Sequence, residues 1–215
     1  MGFTAAVSHE LRTPLARLLA LLESASLPNA DREALLAQAT EQVEEMSELV
    51  DDVLFLSELE SGREVVALGS TPALPVLEEV RDRLVNRAEN ADVTMRIEAP
   101  VDVELPLRRR MLQIVVENLA ENSIRYAGPG STLTISARQG VLEVADDGRG
   151  VEEDELPRLF ERFYRSDRAR ASRGTGLGLA IVKHVVTAAG GEVEATGGPG
   201  HGLTVTCSFP MSAPS

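Results

Sequence analysis

Up to about Gly62 the apolar positions recur every three or four residues, with no alternating pattern between them. Leu15, Leu18, Leu22 and Ala25 form one stripe, which Leu27-Pro28-Asn29 breaks. A second stripe, Leu36, Ala39, Val43, Met46, Val50 and Val53, keeps the heptad spacing of a coiled-coil seam, with Glu41, Glu44, Glu45 and Glu48 mostly off it. The pattern predicts a helical hairpin. Two helices cannot cover such a stripe by themselves, so a homodimeric four-helix bundle is the expected completion.

Beyond Ser61-Gly62 the pattern changes, and the stretch from Gly69 to Pro75 reads as a hinge. A helix is expected after Thr71-Pro72 or at Pro75, because proline suits a first helical turn. Short strands are expected at Val93–Glu98 and Val101–Leu105, then a long helix from about Leu107 to Tyr126. Leu133, Ile135 and Ala137 alternate with polar residues, Gln139-Gly140 turns, and Val141–Ala145 returns as a hairpin partner. A last helix follows Gly178 and stops at Gly190-Gly191, and strands at Glu192–Thr196 and Leu203–Phe209 flank a glycine-rich loop. The fold class is therefore α plus α/β: a hairpin domain over residues 1–66, then an α/β sandwich over residues 67–215, with a loose tail after Pro210.

Composition narrows the partners. Aromatic residues make up only 3% of the 215, so aliphatic side chains must build the cores. No apolar run approaches the roughly 20 residues that cross a bilayer, and no signal peptide opens the chain. A formal net charge of −13 argues against nucleic acid as a partner. Cys207 is the single cysteine, so no internal disulfide can form, and its strand parity with Leu203 and Val205 places it in the core. Lys183 is the only lysine among 21 basic residues.

Three patches carry chemistry. Asn118, Glu121, Asn122 and Arg125 fall at i, i+3, i+4 and i+7, so they share one helix face, opposite Leu112, Val115 and Leu119. An amide oxygen on such a face suits magnesium carried in by a nucleotide, because this ion takes few protein ligands; a plain solvated face is the other reading. In V-A-D-D-G-R-G, Asp146 shares the parity of Leu142 and Val144, so its carboxylate points inward and needs donors, a purine amine among the candidates. Gly148 and Gly150 allow a tight turn close to a ligand. G-T-G-L-G-L, Gly174–Leu179, opens a helix and can offer backbone N–H groups to an anion, although it is neither a P-loop nor a dinucleotide fingerprint. Between the last two lies a segment with Phe160, Phe163, Tyr164 and many arginines. Over about Glu152 to Arg173 it reads as a mobile flap with an aromatic anchor and little apolar area of its own.

One stretch remains. S-H-E-L-R-T-P-L, Ser8–Leu15, puts a histidine, a glutamate and a threonine just ahead of a proline inside a helix, where proline removes an N–H and bends the axis. His9 lies off the bundle seam beside Glu10, which can orient an imidazole acting as nucleophile. His184 and His201 have no such setting.

Taken in order from about Phe3 to Phe209, these stretches resemble the catalytic core of a sensor histidine kinase of a two-component system. S-H-E-L-R-T-P-L resembles the H box, N-L-A-E-N-S-I-R-Y the N box, D-D-G-R-G the G1 box, L-F-E-R-F-Y-R the F box and G-T-G-L-G-L the G2 box. The resemblance implies a dimerisation and phosphotransfer hairpin followed by a Bergerat-type ATP-binding domain. It makes His9 the phosphoacceptor, Glu10 its proton partner, and Thr13 a residue for dephosphorylating the partner. It makes Asn122 the Mg2+ ligand, Asn118 a phosphate or metal neighbour, and Asp146 the residue that recognises adenine. Arg125, Tyr126, Gly148, Gly150, Phe160, Arg165, Gly174, Thr175, Gly176, Leu177, Gly178 and Leu179 would complete the nucleotide site.

ATP and Mg2+ are the implied cofactors. A second copy and a response regulator receiver domain are the implied partners, and the setting is the cytoplasmic part of a membrane-anchored sensor. Two positions depart from the family pattern: Arg125 replaces a common lysine, in keeping with the arginine bias, and Ser123 replaces a usual alanine with no role assigned. Gyrase-type ATPases share the nucleotide fold but lack the histidine hairpin. A degenerate scaffold would not be expected to keep Asn122, Asp146 and the glycines Gly174, Gly176 and Gly178.

Overall fold

The computed structural model describes residues 3–28, 30–61, 69–166 and 174–210. Helix α1, Phe3–Ala25, remains helical through Pro14. Helix α2, Arg32–Glu60, starts at Asp31, whose carboxylate accepts the Ala34 N–H at 3.2 Å, a capping bond that satisfies an otherwise unpaired donor. The two helices pack as the expected hairpin. Along the α2 seam Ala39 is buried, and Leu36, Val43 and Val50 stay exposed, as do Leu15, Leu19 and Leu22 of α1. An apolar face is thus left uncovered, as the heptad argument requires.

Another face of α2 does something the pattern did not announce. Leu49, Leu56 and Leu59 are buried in one continuous core with the second domain. Residues 62–68, with the 66/67 boundary, fall outside the described residues, as does the tail from residue 211; the stretch Gly69 to Pro75, read as a hinge, is instead strand at Thr71–Pro72 and helix from Ala73 onward.

The second domain begins with β1, Thr71–Pro72, and α3, Ala73–Asn90, which takes the earlier of the two predicted starts. Strand β2 spans Thr94–Glu98. The predicted strand Val101–Leu105 shrinks to β3, Glu104–Leu105, which pairs with β1 in a separate two-stranded ribbon. Pro100 and Pro106 bracket this segment and limit its ladder donors, and Val101 lies 80% exposed. Helix α4 is Arg109–Tyr126, β4 Thr132–Arg138, β5 Val141–Asp146, α5 Gly178–Ala188, β6 Glu192–Gly197 and β7 Leu203–Ser208.

The main sheet has the order β2-β4-β5-β7-β6, parallel between β2 and β4 and antiparallel elsewhere. Alternation puts Leu133, Ile135, Leu142, Val144, Val205 and Cys207 on one buried face. Helices α3, α4 and α5 cover it, giving a two-layer α/β sandwich.

Cys207 lies within that core, and burial pushes its thiol up to about 12. The native protein should therefore react with an alkylating reagent at pH 8 on the order of a thousandfold more slowly than the chain in denaturant. Thiol labelling at increasing urea concentration checks this, and its rate should follow unfolding of the sheet.

Candidate nucleotide site

The site is built on α4. Leu112, Val115 and Leu119 are buried toward the sheet, which turns Asn118, Glu121, Asn122 and Arg125 to the wall of a cavity of about 500 Å³. The Asn118 amide nitrogen donates to the Ile114 carbonyl at 2.8 Å, leaving Oδ1 turned toward Gly178. A Cβ at Gly178 would overlap that oxygen, and one at Gly174 would overlap the Arg125 guanidinium. The glycines of the loop thus let the polar face of α4 touch it.

Asp146 ends β5 and is buried. Its Oδ1 accepts the Gly148 N–H at 3.1 Å and the Leu203 N–H at 3.3 Å, and the Ser123 hydroxyl donates to the same carboxylate. Burial pushes this carboxyl above the usual range; the three donors pull it back, and neighbouring Asp147 adds a smaller push upward. Ser123, given no role by the sequence, is itself buried and is part of this cluster. A buried hydroxyl one residue after Asn122 was the available signal. The turn beyond Asp146 is tight: Gly150 has φ 66°, and a Cβ there would run into the Gly198 carbonyl.

The stretch from Val151 to Ser166 is more closely packed than a loose flap. Leu156, Leu159, Phe160 and Phe163 lie against the core around a short 3-10 turn, Leu156–Arg158. Phe163 adopts φ 61°, a conformation costly for an aromatic residue, and its N–H donates to the Gly176 carbonyl at 2.9 Å. The anchor is therefore stitched to the glycine loop; the rest of the predicted flap, residues 167–173, lies outside the described residues.

Of the residues the resemblance assigns to nucleotide, Asn118, Asn122, Arg125, Tyr126, Asp146, Gly150, Arg165, Thr175, Gly176, Gly178 and Leu179 line the cavity. Gly148, Phe160, Gly174 and Leu177 stand outside its lining. Sequence reasoning missed one wall altogether: Glu48, Asp51 and Asp52 of α2. Asp52 Oδ2 accepts the Thr175 hydroxyl at 2.8 Å, and Glu45 Oε1 accepts the Gly174 N–H at 3.4 Å. Arg162 pairs with Glu60 near the end of the same helix. These acids read as a solvated helix face, and nothing local to them announces the domain that covers them.

His9, Glu10 and Thr13 lie outside the cavity lining. His9 Nδ1 is 3.6 Å from Glu10 Oε1, within ion-pair reach but longer than a hydrogen bond, and the imidazole is 72% exposed. His9 sits 16 residues before the end of α1 and Glu48 16 residues after the start of α2. Both are thus about 24 Å along the hairpin from its turn, so His9 is level with the acidic wall.

Residues 108–213 match the family model described as histidine kinase-, DNA gyrase B- and HSP90-like ATPase, and residues 2–62 match the His Kinase A (phospho-acceptor) domain. Over 97% of its length the chain is 34% identical to the sensor-like histidine kinase SenX3 of Mycobacterium tuberculosis, covering 53% of that protein. A crystal structure of full-length ShkA in complex with AMPPNP superposes with a TM-score of 0.66 at 30% identity, covering 98% of this chain and 46% of that one. The histidine kinase ThkA in complex with the response regulator protein TrrA gives a TM-score of 0.75 over 97% of this chain and 61% of that one; at 19% identity this shows the fold alone.

A phosphoacceptor hairpin joined to an ATPase-type domain defines a histidine kinase core. The chain belongs to the sensor histidine kinases, and it spans about half the length of the curated relatives it matches. Among the described residues no helix is long and apolar enough to cross a membrane.

Folded Asp146 holds its proton to higher pH than the unfolded chain does, so at this site stability rises as pH falls toward 4. Ser123→Ala removes a donor that favours the ionised form. It should destabilise by about 1 kcal/mol at pH 7.5 and by less near pH 4. Urea melts at the two pH values measure the difference.

Proposed function

We propose that this chain transfers the γ-phosphoryl group of ATP to His9 and from there to an aspartate of a response regulator receiver domain. The observation that carries the reading is the convergence, in one cavity, of buried Asp146 with the amide and guanidinium face of α4 and the glycine loop that opens α5. Asp146 has two backbone donors on Oδ1 and the Ser123 hydroxyl on the same carboxylate, which with about four lone-pair sites still has room to accept from a purine amine and supports adenine recognition. Arg125 and the N–H groups at the α5 terminus suit the phosphates.

The donor set also fits magnesium. The described residues contain no group of three or more acidic, cysteine or histidine side chains able to cage an ion, and Asn122 offers a hard amide oxygen where the phosphates would lie. Asn122 would hold the ion together with ligand phosphates and water, with Asn118 as neighbour, and the ion supplies neutralisation of phosphate charge.

In the transfer, a ring nitrogen of His9 forms a bond to the γ-phosphorus as the bond to the bridging oxygen breaks, and ADP leaves. Glu10, once it closes from 3.6 Å to hydrogen-bond range of Nδ1, holds the ring proton there, directs attack to Nε2 and stabilises the cation that forms. His9 lies outside the cavity, so the nucleotide domain must shift along or across the hairpin to reach the histidine of its own or the partner copy. The exposed α1 and α2 stripes support a homodimer. The second transfer moves the phosphoryl group from His9 to the regulator carboxylate.

With γ-labelled ATP and magnesium the protein should label itself with an acid-labile, base-stable phosphoramidate. His9→Gln should abolish the label and leave the dimer intact; an acid-stable or persisting label would defeat the assignment.

Thr13 is exposed one turn after His9 on nearly the same face. Its hydroxyl suits positioning a water in line with the regulator's phosphoryl group, a role that autophosphorylation does not need. Thr13→Ala should keep autokinase activity within about twofold and lower phosphatase activity toward the phosphorylated regulator at least about tenfold, on the scale of one lost transition-state hydrogen bond. Equal loss of both would point instead to damaged helix geometry.

A further inference from the structure

The acidic wall of α2 meets the site where phosphates are expected. The Leu177 N–H, at the start of α5, donates to Thr175 Oγ1 at 3.2 Å, and the Thr175 hydroxyl donates onward to Asp52 at 2.8 Å. The Gly174 N–H is directed at Glu45. Donors of the glycine loop that would serve a phosphate are thus engaged by carboxylates of the hairpin.

The field in this corner has the same sense. Of the carboxylates that line the cavity, Glu48, Asp51 and Glu121 act on Asp52 here, against the Arg125 guanidinium beside Gly174. Burial, with Glu48, Glu121 and Asp51 close by, pushes Asp52 up to about 6 even though Thr175 donates to it. A corner that disfavours a single carboxylate charge disfavours the several charges of a triphosphate more.

We propose that the Glu45–Asp52 face of α2, docked on the glycine loop, sets the phosphate selectivity of the nucleotide site: the docked arrangement admits the nucleoside part of a ligand and opposes its phosphates, so triphosphate binding and α2 docking compete. The proposal rests on the reading of this cavity as a nucleotide site. Asp52 and Glu45 act here through occupation of the loop donors and through charge, and neither takes part in the transfer itself. The free energy that separates the hairpin from the glycine loop would come from the phosphates, so the domain released to travel toward a histidine would be one already loaded.

Titration calorimetry of the whole chain at pH 7.5, with ATP, ADP and adenosine each in the presence and absence of magnesium, tests this. Asp52→Asn and Glu45→Gln keep the size and helical character of the side chains while removing charge. The double variant should bind ATP roughly three- to tenfold more tightly than the wild type, ADP with a smaller gain, and adenosine within about twofold. Hydrogen exchange over α2 should rise with ATP and stay unchanged with adenosine in the wild type. An equal gain for all three ligands, or no gain, would overturn the proposal, because docking would then be indifferent to phosphate. Loss of ATP affinity only when magnesium is present would also overturn it, assigning the carboxylates to the cation. If the wild type binds none of the three ligands, the nucleotide reading itself fails.

Discussion

The candidate nucleotide cavity depends on how α4 lies on the sheet. Burial of Leu112, Val115, Val116 and Leu119 fixes the rotation of the helix about its own axis. A fully buried aliphatic side chain contributes about 1.5–3 kcal/mol, so four of them resist any rotation that would expose them. Once that angle is set, Asn118, Asn122 and Arg125 have one direction in which to point. Ser123, between the two faces, reaches Asp146 at the end of β5. The apolar packing therefore positions polar groups that contribute little to stability themselves.

The same helix is braced from the other side. Arg83 and Arg87 of α3 pair with Glu117 and Glu121 of α4, and Arg109 pairs with Glu79 at 2.5 Å. These pairs are partly exposed, and each adds little stability by itself. Their alignment nonetheless holds α3 and α4 in one register, so the helix that carries the polar face is braced on both sides.

Much of this was legible in the chain. The period-two alternation of Leu133, Ile135 and Ala137 and the i, i+3, i+4, i+7 set on α4 are local signals, because one element alone determines which way those side chains point. Asp146 was legible for the same reason, its parity with Val144 being a property of a single strand. The failures were of another kind. Val101–Leu105 has strand-like residues, but its neighbouring prolines deny it a full ladder, and only Glu104–Leu105 pairs. Glu45 and Asp52 carry no mark in sequence that separates them from any solvated helix face; their role depends on a domain arriving from more than 100 residues later in the chain. Leu49 and Leu56 were likewise indistinguishable from further seam positions until the second domain was seen to cover them. Contacts between domains leave no period in either partner.

The uncovered stripe of the hairpin has a thermodynamic meaning of its own. Leu15, Leu19, Leu22, Leu36, Val43 and Val50 are exposed in a single chain, while Leu49 and Leu56 on another face of α2 are satisfied internally. On the dimer reading, the hairpin is held on one side by an intramolecular contact and on the other by a second molecule. Its two faces then obey different laws: burial against the α/β domain is independent of dilution, whereas burial of the seam follows mass action. Dilution would loosen the bundle and leave the sheet intact. The amount of protein present thus becomes a variable that acts on the histidine-bearing half of the molecule and spares the nucleotide-binding half.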